Sequence, residues 1–418
     1  LNKSFITSSQ LKAEMKVYRH LAQIVTLDSA FKKDGRRLAP HDLSVIDDAS
    51  IAFNENEILW VGKTKELPAP FLNEEVIDLP GHVLTPALVD SHTHLLFGGN
   101  RAREYSQRLN GVDYQAIAKS GGGILYTMNE TLKLTEDQLF ELGVERVQRL
   151  ETYGIKTIEM KSGYALTQEG ELRLLRAAKR LKDHFFGRVR IFSTYLGAHA
   201  VPENFKSSAV FLDEVVIPTL KIAHSENLVD CVDIFAEQGY FSTQDTEKLF
   251  EFAKSVSLPT KMHADEFNDN SGASLAARFQ SLSADHLLKI SDKGIADLAN
   301  SMTVATLLPG TAFFLGKPLA PARAMLDAGC KVALASDYNP GSSHVDNLLL
   351  VASLAAPSLK LNQAELWAAI TLNASAALGF FDQGAIIPGK KPTFALFRVN
   401  DISEVTYNWG RNLCVICP

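Results

Sequence analysis

Eight short apolar segments recur between residues 83 and 336, and helical segments separate them. They span 83–94, 156–161, 189–197, 232–236, 260–264, 283–286, 303–308 and 331–336. Several are almost continuously apolar, as expected of parallel strands covered on both faces. Between two of them, Leu139, Leu142, Val147, Leu150 and Tyr153 recur at helical spacing, with Gly154 as a stop. Further on, Leu174, Leu175, Ala178 and Leu181 form a second apolar stripe. Eight strand–helix repeats predict an α/β fold built as a (β/α)8 barrel.

The flanks read differently. Residues 22–27, 51–53 and 57–61 are short strand-like pieces bounded by turn residues, among them Asp34-Gly35, Asn54-Glu55-Asn56 and Gly62. Residues 384–390 and 392–397 also read as strands, with a Pro388-Gly389 turn between them. We therefore expect a small β-sandwich domain built from both chain termini, residues 1–82 and 381–418, around a barrel of residues 83–380.

Composition excludes several classes. With 42 basic and 48 acidic residues in 418 the net charge is −6, which argues against a nucleic-acid partner. No apolar run approaches a membrane span, and Leu1 to Gln10 lacks the apolar core of a secretion signal, so a cytoplasmic protein is expected. Four cysteines form no disulfide framework, and the Cys414-x-x-Cys417 spacing stands alone.

In such barrels, catalytic groups collect where the strands end at their C-terminal side. The first segment ends in His92-Thr93-His94, whose imidazoles share a face because strand side chains alternate. Others end in Glu159-Met-Lys161, in His199, in Glu237, in His263-Ala-Asp-Glu266, in Asp285-His286 and in Ser336-Asp337. Chance would scatter polar groups, whereas these fall at one end. His92, His94, His263 and Asp337 are the expected ligands of one metal ion, with zinc or iron suited to the donor set and manganese compatible with it. Such an ion turns bound water into a hydroxide nucleophile near neutral pH. Glu266 is placed to bond ring N–H groups or shuttle a proton, and His286 to stabilise an oxyanion or orient the hydroxide. Arg101 or Arg103 could pair with a substrate carboxylate.

With these residues in view, the chain resembles the amidohydrolase superfamily of metal-dependent hydrolases, and within it the imidazolonepropionase family. The resemblance is carried by Asp90-Ser-His-Thr-His94, Phe97-Gly-Gly-Asn-Arg-Ala-Arg103, Lys119-Ser-Gly-Gly-Gly-Ile124, Glu159-Met-Lys-Ser-Gly-Tyr-Ala-Leu166, Thr194-Tyr-Leu-Gly-Ala-His-Ala200 and Ser336-Asp-Tyr-Asn-Pro-Gly-Ser-Ser343. It implies hydrolysis of the cyclic amide C–N bond of 4-imidazolone-5-propanoate to N-formimidoyl-L-glutamate, in histidine degradation. It implies substrate contacts at Arg101, Tyr114, Tyr164, His199 and Glu266, with Asn339, Gly341 and Ser342 near the product. Asp337 would take the water proton and return it to the departing nitrogen. One ion is expected rather than two, because two-metal relatives carry a modified lysine at the end of the fourth strand, where this chain has Ala236-Glu237. A homodimer is expected from the same relatives. The alternative within the superfamily is a deaminase of a related heterocycle, which would not need an arginine for an anionic tail.

Overall fold

The computed structural model describes residues 15–112 and 122–417. Five strands come first: β1 (Lys16–Val25), β2 (Val45–Phe53), β3 (Ile58–Lys63), β4 (Glu75–Asp78) and β5 (Val83–Pro86). The barrel follows with β6 (Leu88–Asp90), β7 (Ile155–Lys161), β8 (Arg190–Ala198), β9 (Cys231–Ala236), β10 (Lys261–Ala264), β11 (Ser283–His286), β12 (Val304–Leu307) and β13 (Val332–Leu334). The last two strands are β14 (Phe394–Phe397) and β15 (Cys414–Val415).

Strands β6 to β13 lie side by side in chain order, and every pairing between them is parallel. The two ends of this sheet meet just past the regular strands. Thr93 pairs with Tyr338 in a parallel bridge, Asp337 N–H donates to the His92 carbonyl at 3.0 Å, and His94 N–H donates to the Tyr338 carbonyl at 2.9 Å. The Asp90 carboxylate staples this seam by accepting from Ser336 N–H at 3.0 Å and from Ser336 Oγ–H at 2.5 Å. The barrel thus closes through the residues that the sequence marks as chemical.

Helices cover the outside, as the apolar stripes predict. Helix Glu136–Thr152 begins with a capping box between Thr135 and Gln138, buries Leu139, Val147 and Leu150, and is followed by Gly154 at φ +84°. Helix Gln168–His184 buries Leu174, Leu175, Ala178 and Leu181 against the barrel. Each leucine so buried contributes about 1.5–3 kcal/mol of transfer free energy.

The two chain ends share one seven-stranded sheet in the order β15-β14-β5-β1-β2-β3, with β4 also on β1. It forks along β1: residues Lys16 to Arg19 pair with β4, and Gln23 and Ile24 pair with β5. Between them the β1–β2 register slips, and His20 adopts φ +55°. Tyr18, Phe53 and Phe394 stack edge to face in its core, at 5.0 and 5.3 Å between ring centres.

Two expectations need correction. Residues 83–94 are not one strand. Ala87 N–H donates to the Thr393 carbonyl in the terminal sheet, while the next amide, Leu88 N–H, donates to the Gly154 carbonyl beside the barrel. Neighbouring amides therefore serve different sheets, and the strand breaks between them. Residues 384–390 form no strand either. Their amides find isolated partners, Ile386 N–H on Thr26 O and Gly389 N–H on Ile58 O, instead of a ladder. All four cysteines are free. Among the described residues, no helix is long and apolar enough to cross a membrane.

Candidate functional site

His92 and His94 lie just past β6, His263 sits in β10, His286 ends β11, and Asp337 follows β13. All five are buried. Asp337 and His286 hold φ of +53° and +78°, a left-handed turn that costs about 1–3 kcal/mol for each non-glycine residue and that recurs at functional sites. It turns the chain sharply at the strand end.

Four atoms converge. Asp337 Oδ1 lies 3.6 Å from His92 Nε2 and 3.5 Å from His94 Nε2, and His94 Nε2 lies 3.4 Å from His263 Nε2. Donors held at about 2.1 Å around a tetrahedral ion stand about 3.4 Å apart, so this spacing fits a zinc-sized cation. The His92 Nε2 and Asp337 Oδ1 atoms are buried and have no hydrogen-bond partner among the described residues. Two facing acceptors left bare in the interior are costly unless a cation bridges them. Among the described residues, three groups of potential ligands share His92: His92, His94 and Asp337; His92, His263 and His286; and His92, Glu159 and Asp285.

Local partners orient the donors. His92 Nδ1–H donates to Asp285 Oδ2 at 2.6 Å, which leaves the lone pair on Nε2. His263 Nδ1 faces Asp233 Oδ2 at 3.0 Å. Asp337 Oδ2 accepts from the Thr311 hydroxyl, and the Asp337 carbonyl accepts from Asn339 Nδ2 at 2.7 Å. Burial, aided by neighbouring positive charge on Lys161 or on other rings, drives His92, His94 and His286 well below the usual imidazole range. Neutral rings are the form that binds metal. Burial pushes the Asp337 carboxyl up to about 6 in the metal-free protein.

Glu266 is buried, with Oε2 3.6 Å from His286 Nε2, and burial next to Asp337 and Glu237 lifts its carboxyl well above the ordinary range. Its loop is pinned by Glu237, at the end of β9. That carboxylate accepts from Phe267 N–H at 2.8 Å, Asn268 Nδ2 at 3.1 Å and Asn270 Nδ2 at 2.6 Å. His199 stacks on His94 at 5.2 Å and 22°, Tyr164 packs beside both, and burial brings His199 down to about 4. Gly163 holds φ +106° next to His199 Nδ1, and its carbonyl is 2.9 Å from that nitrogen.

Arg101 is buried, with Nε donating to Glu104 Oε2 at 2.8 Å, while Arg103 is exposed. Gly341 lies directly under the Arg101 guanidinium: a Cβ there would sit 2.0 Å from Nη1. Asn339 and Ser342 bond one another. Asn339 Oδ1 accepts the Gly341 and Ser342 amides at 2.8 Å each, and Asn339 Nδ2 donates to Ser342 Oγ at 3.0 Å. Their side chains shape the turn that presents Gly341. Tyr114 and residues 119–121 of the glycine motif lie outside the described residues.

In the layer beneath, the sequence marks Glu159, Lys161 and Asp285 as strand-end polar groups, and sequence reasoning missed Asp233 and Lys261. All five are fully buried in the barrel interior. The signal was available: a charged residue two positions before His263 and before Phe235 shares their inward face.

The Amidohydrolase family model matches residues 83–417. The chain is similar to an imidazolonepropionase of Paracoccus denitrificans, 38% identical over 94% of this chain and 96% of that protein. It is also similar to an imidazolonepropionase of Agrobacterium fabrum, 40% identical over 94% of this chain and 92% of that protein. Among solved structures it resembles atrazine chlorohydrolase from Arthrobacter aurescens TC1 complexed with zinc. The TM-score is 0.66 at 17% identity, over 96% of this chain and 92% of that one.

Proposed function

The chain belongs to the imidazolonepropionases of the amidohydrolase family, metal-dependent hydrolases, and we propose from this which of its residues carry the reaction. The substrate is 4-imidazolone-5-propanoate, and the product of opening its cyclic amide is N-formimidoyl-L-glutamate, a step of histidine degradation. The single observation that carries the assignment of roles is the run of short contacts that links His92 and His94 to Asp337 Oδ1, at 3.6 and 3.5 Å, and His94 to His263, at 3.4 Å.

His92, His94, His263 and Asp337 would hold one divalent ion, zinc or iron, with manganese also compatible. When bound, such an ion lowers the pKa of a coordinated water from about 15.7 toward about 7. Asp337 accepts the water proton and returns it to the departing ring nitrogen, with the Thr311 hydroxyl fixing the orientation of the carboxyl through Oδ2. Proton return is what makes the nitrogen a leaving group. His286, whose Nε2 lies 3.6 Å from Glu266 Oε2, stabilises negative charge on the ring carbonyl oxygen. Glu266, held by the Glu237 clamp, bonds the ring N–H groups. Burial raises this carboxyl well above the ordinary range, which favours its protonated form, and that form can donate as well as accept. Arg101, with help from Tyr114, pairs with the propanoate, and Tyr164 and His199 line the substrate's flank. Asn339, Gly341 and Ser342 form the turn under Arg101.

The enzyme acts in the cytoplasm as a homodimer in this reading, on a small substrate with a carboxylate tail. The test is turnover of 4-imidazolone-5-propanoate beside cytosine and adenosine. Hydrolysis of the imidazolone alone supports the assignment, and preferential release of ammonia from either heterocycle would replace it with the deaminase reading.

A further inference from the structure

Five charged side chains lie in the closed end of the barrel, beneath the imidazoles, and the reaction described above uses none of them directly. Lys161 is central. Its ammonium donates to Asp233 Oδ2 at 2.6 Å and to Glu159 Oε1 at 2.9 Å, and stands 3.9 Å from Asp285 Oδ2. Lys261 donates to the Ser91 carbonyl at 3.0 Å and lies 3.5 Å from Asp285 Oδ2 and 3.7 Å from Glu159 Oε2. Two lysines and three carboxylates leave one net negative charge, and all five side chains are fully buried.

A buried ion pair adds little net stability, because desolvation offsets the attraction. Retaining five such charges in a barrel core therefore asks for another role. The two carboxylates at the upper edge of this layer are those that face the metal-site imidazoles: Asp285 accepts from His92 Nδ1 at 2.6 Å, and Asp233 lies 3.0 Å from His263 Nδ1. Asp285 is also held from its own strand by Ser283 Oγ–H at 2.5 Å. Asp233 has no such side-chain brace. Its Oδ2 meets Lys161 on one side and His263 on the other, and among the described residues its Oδ1 bonds the Ile234 amide at 2.7 Å.

We propose that Lys161 is a positioning residue for the metal centre, gripping Asp233 so that Asp233 fixes the His263 ring with Nε2 aimed at the ion. Glu159 is the counter-anchor. It accepts from Lys161 and from Thr194 Oγ–H at 2.6 Å, so the ammonium sits between two carboxylates at fixed height in the barrel. Without Lys161, the Asp233 carboxylate is free to turn away, and His263 loses the negative charge that faces its Nδ1 at 3.0 Å. The inference rests on the metal-hydrolase reading of the site above it.

The experiment measures zinc affinity by chelator competition, and the visible spectrum of the cobalt-substituted protein, for wild type, Lys161→Met and Lys161→Met/Glu159→Gln. The double variant removes one charge of each sign and leaves the net charge of the layer unchanged, so it is the variant expected to fold well. Loss of the direct partner of a metal ligand weakens binding about 10- to 100-fold, and Lys161 acts through that partner, so a loss of about tenfold is expected. We expect that loss in both variants, with a shifted cobalt spectrum and with KM unchanged once the protein is saturated with zinc. If the double variant recovers thermal stability and binds zinc as tightly as wild type, Lys161 serves only charge balance and the proposal is overturned. Wild-type protein that binds no zinc and no cobalt would instead contradict the metal-centre reading itself.

Discussion

Gly341→Ala adds one methyl group and tests how the site holds the anionic end of its substrate. Gly341 does not need glycine for its backbone angles, since it is absent from the positive-φ positions. It needs glycine for space. The new Cβ would lie 2.0 Å from Arg101 Nη1 and 2.6 Å from Cζ. Carbon and nitrogen pack comfortably near 3.5 Å, so the guanidinium must retreat by more than about 1 Å. Its Nε is tied to Glu104 at 2.8 Å and the side chain is buried, so retreat also disturbs that pair. A charged hydrogen bond is worth about 1.5–3 kcal/mol, which corresponds to about a 10- to 150-fold change. The carboxylate tail is remote from the breaking bond and is bound alike in ground state and transition state, so the loss falls on KM and leaves kcat nearly unchanged. Steady-state kinetics on 4-imidazolone-5-propanoate read this directly, with Arg101→Ala as the reference for complete loss. An unchanged KM in Gly341→Ala, with a raised KM in Arg101→Ala, would refute the close-approach argument. An unchanged KM in both would remove Arg101 from substrate binding.

Other perturbations separate the remaining roles. Asp337→Asn retains a group that Thr311 can bond, yet cannot take a proton; kcat should fall about 10²- to 10⁴-fold in protein shown by elemental analysis to carry metal, and near-full turnover would exclude the shuttle. Glu237→Ala releases the loop that carries Glu266, so kcat/KM should fall at least tenfold with bound metal unchanged, whereas unaltered kinetics would show that the clamp is dispensable. At the opposite face, Arg190 pairs with Asp382 through two bonds of 2.9 Å and holds that carboxyl at about 2. A lowered folded-state pKa means stability that is present above about pH 4 and lost as pH falls toward 2. Both groups are partly exposed, so the contribution is under about 1 kcal/mol, and Asp382→Asn should flatten the acid limb of the unfolding curve by that amount. An acid limb identical to wild type would mean that the pair is silent.

The barrel was legible because several of its strands are almost continuously apolar and its helices are striped, so the period changes at each junction. The break at Ala87 was not, because residues 83–90 are nearly continuous in apolar character and only the hydrogen-bond partners of Ala87 and Leu88 divide them. In 384–390, β-branched isoleucines suggested a strand, but no neighbouring strand edge extends alongside them. His92, His94, His263, His286 and Asp337 stood out because each follows or ends an apolar run, and the fold brings them together. Lys261 and Asp233 were overlooked because they lie inside such runs, whereas chemical groups were sought only at the ends of the runs. The pairing of Asn339 with Ser342 is a turn geometry that one sequence does not display.

The most direct measurement is turnover of 4-imidazolone-5-propanoate by the purified protein before chelation, after removal of metal, and after zinc, iron or manganese is returned. The account predicts activity that vanishes with the metal and comes back with about one ion per chain. Undiminished turnover in protein stripped of metal would contradict it.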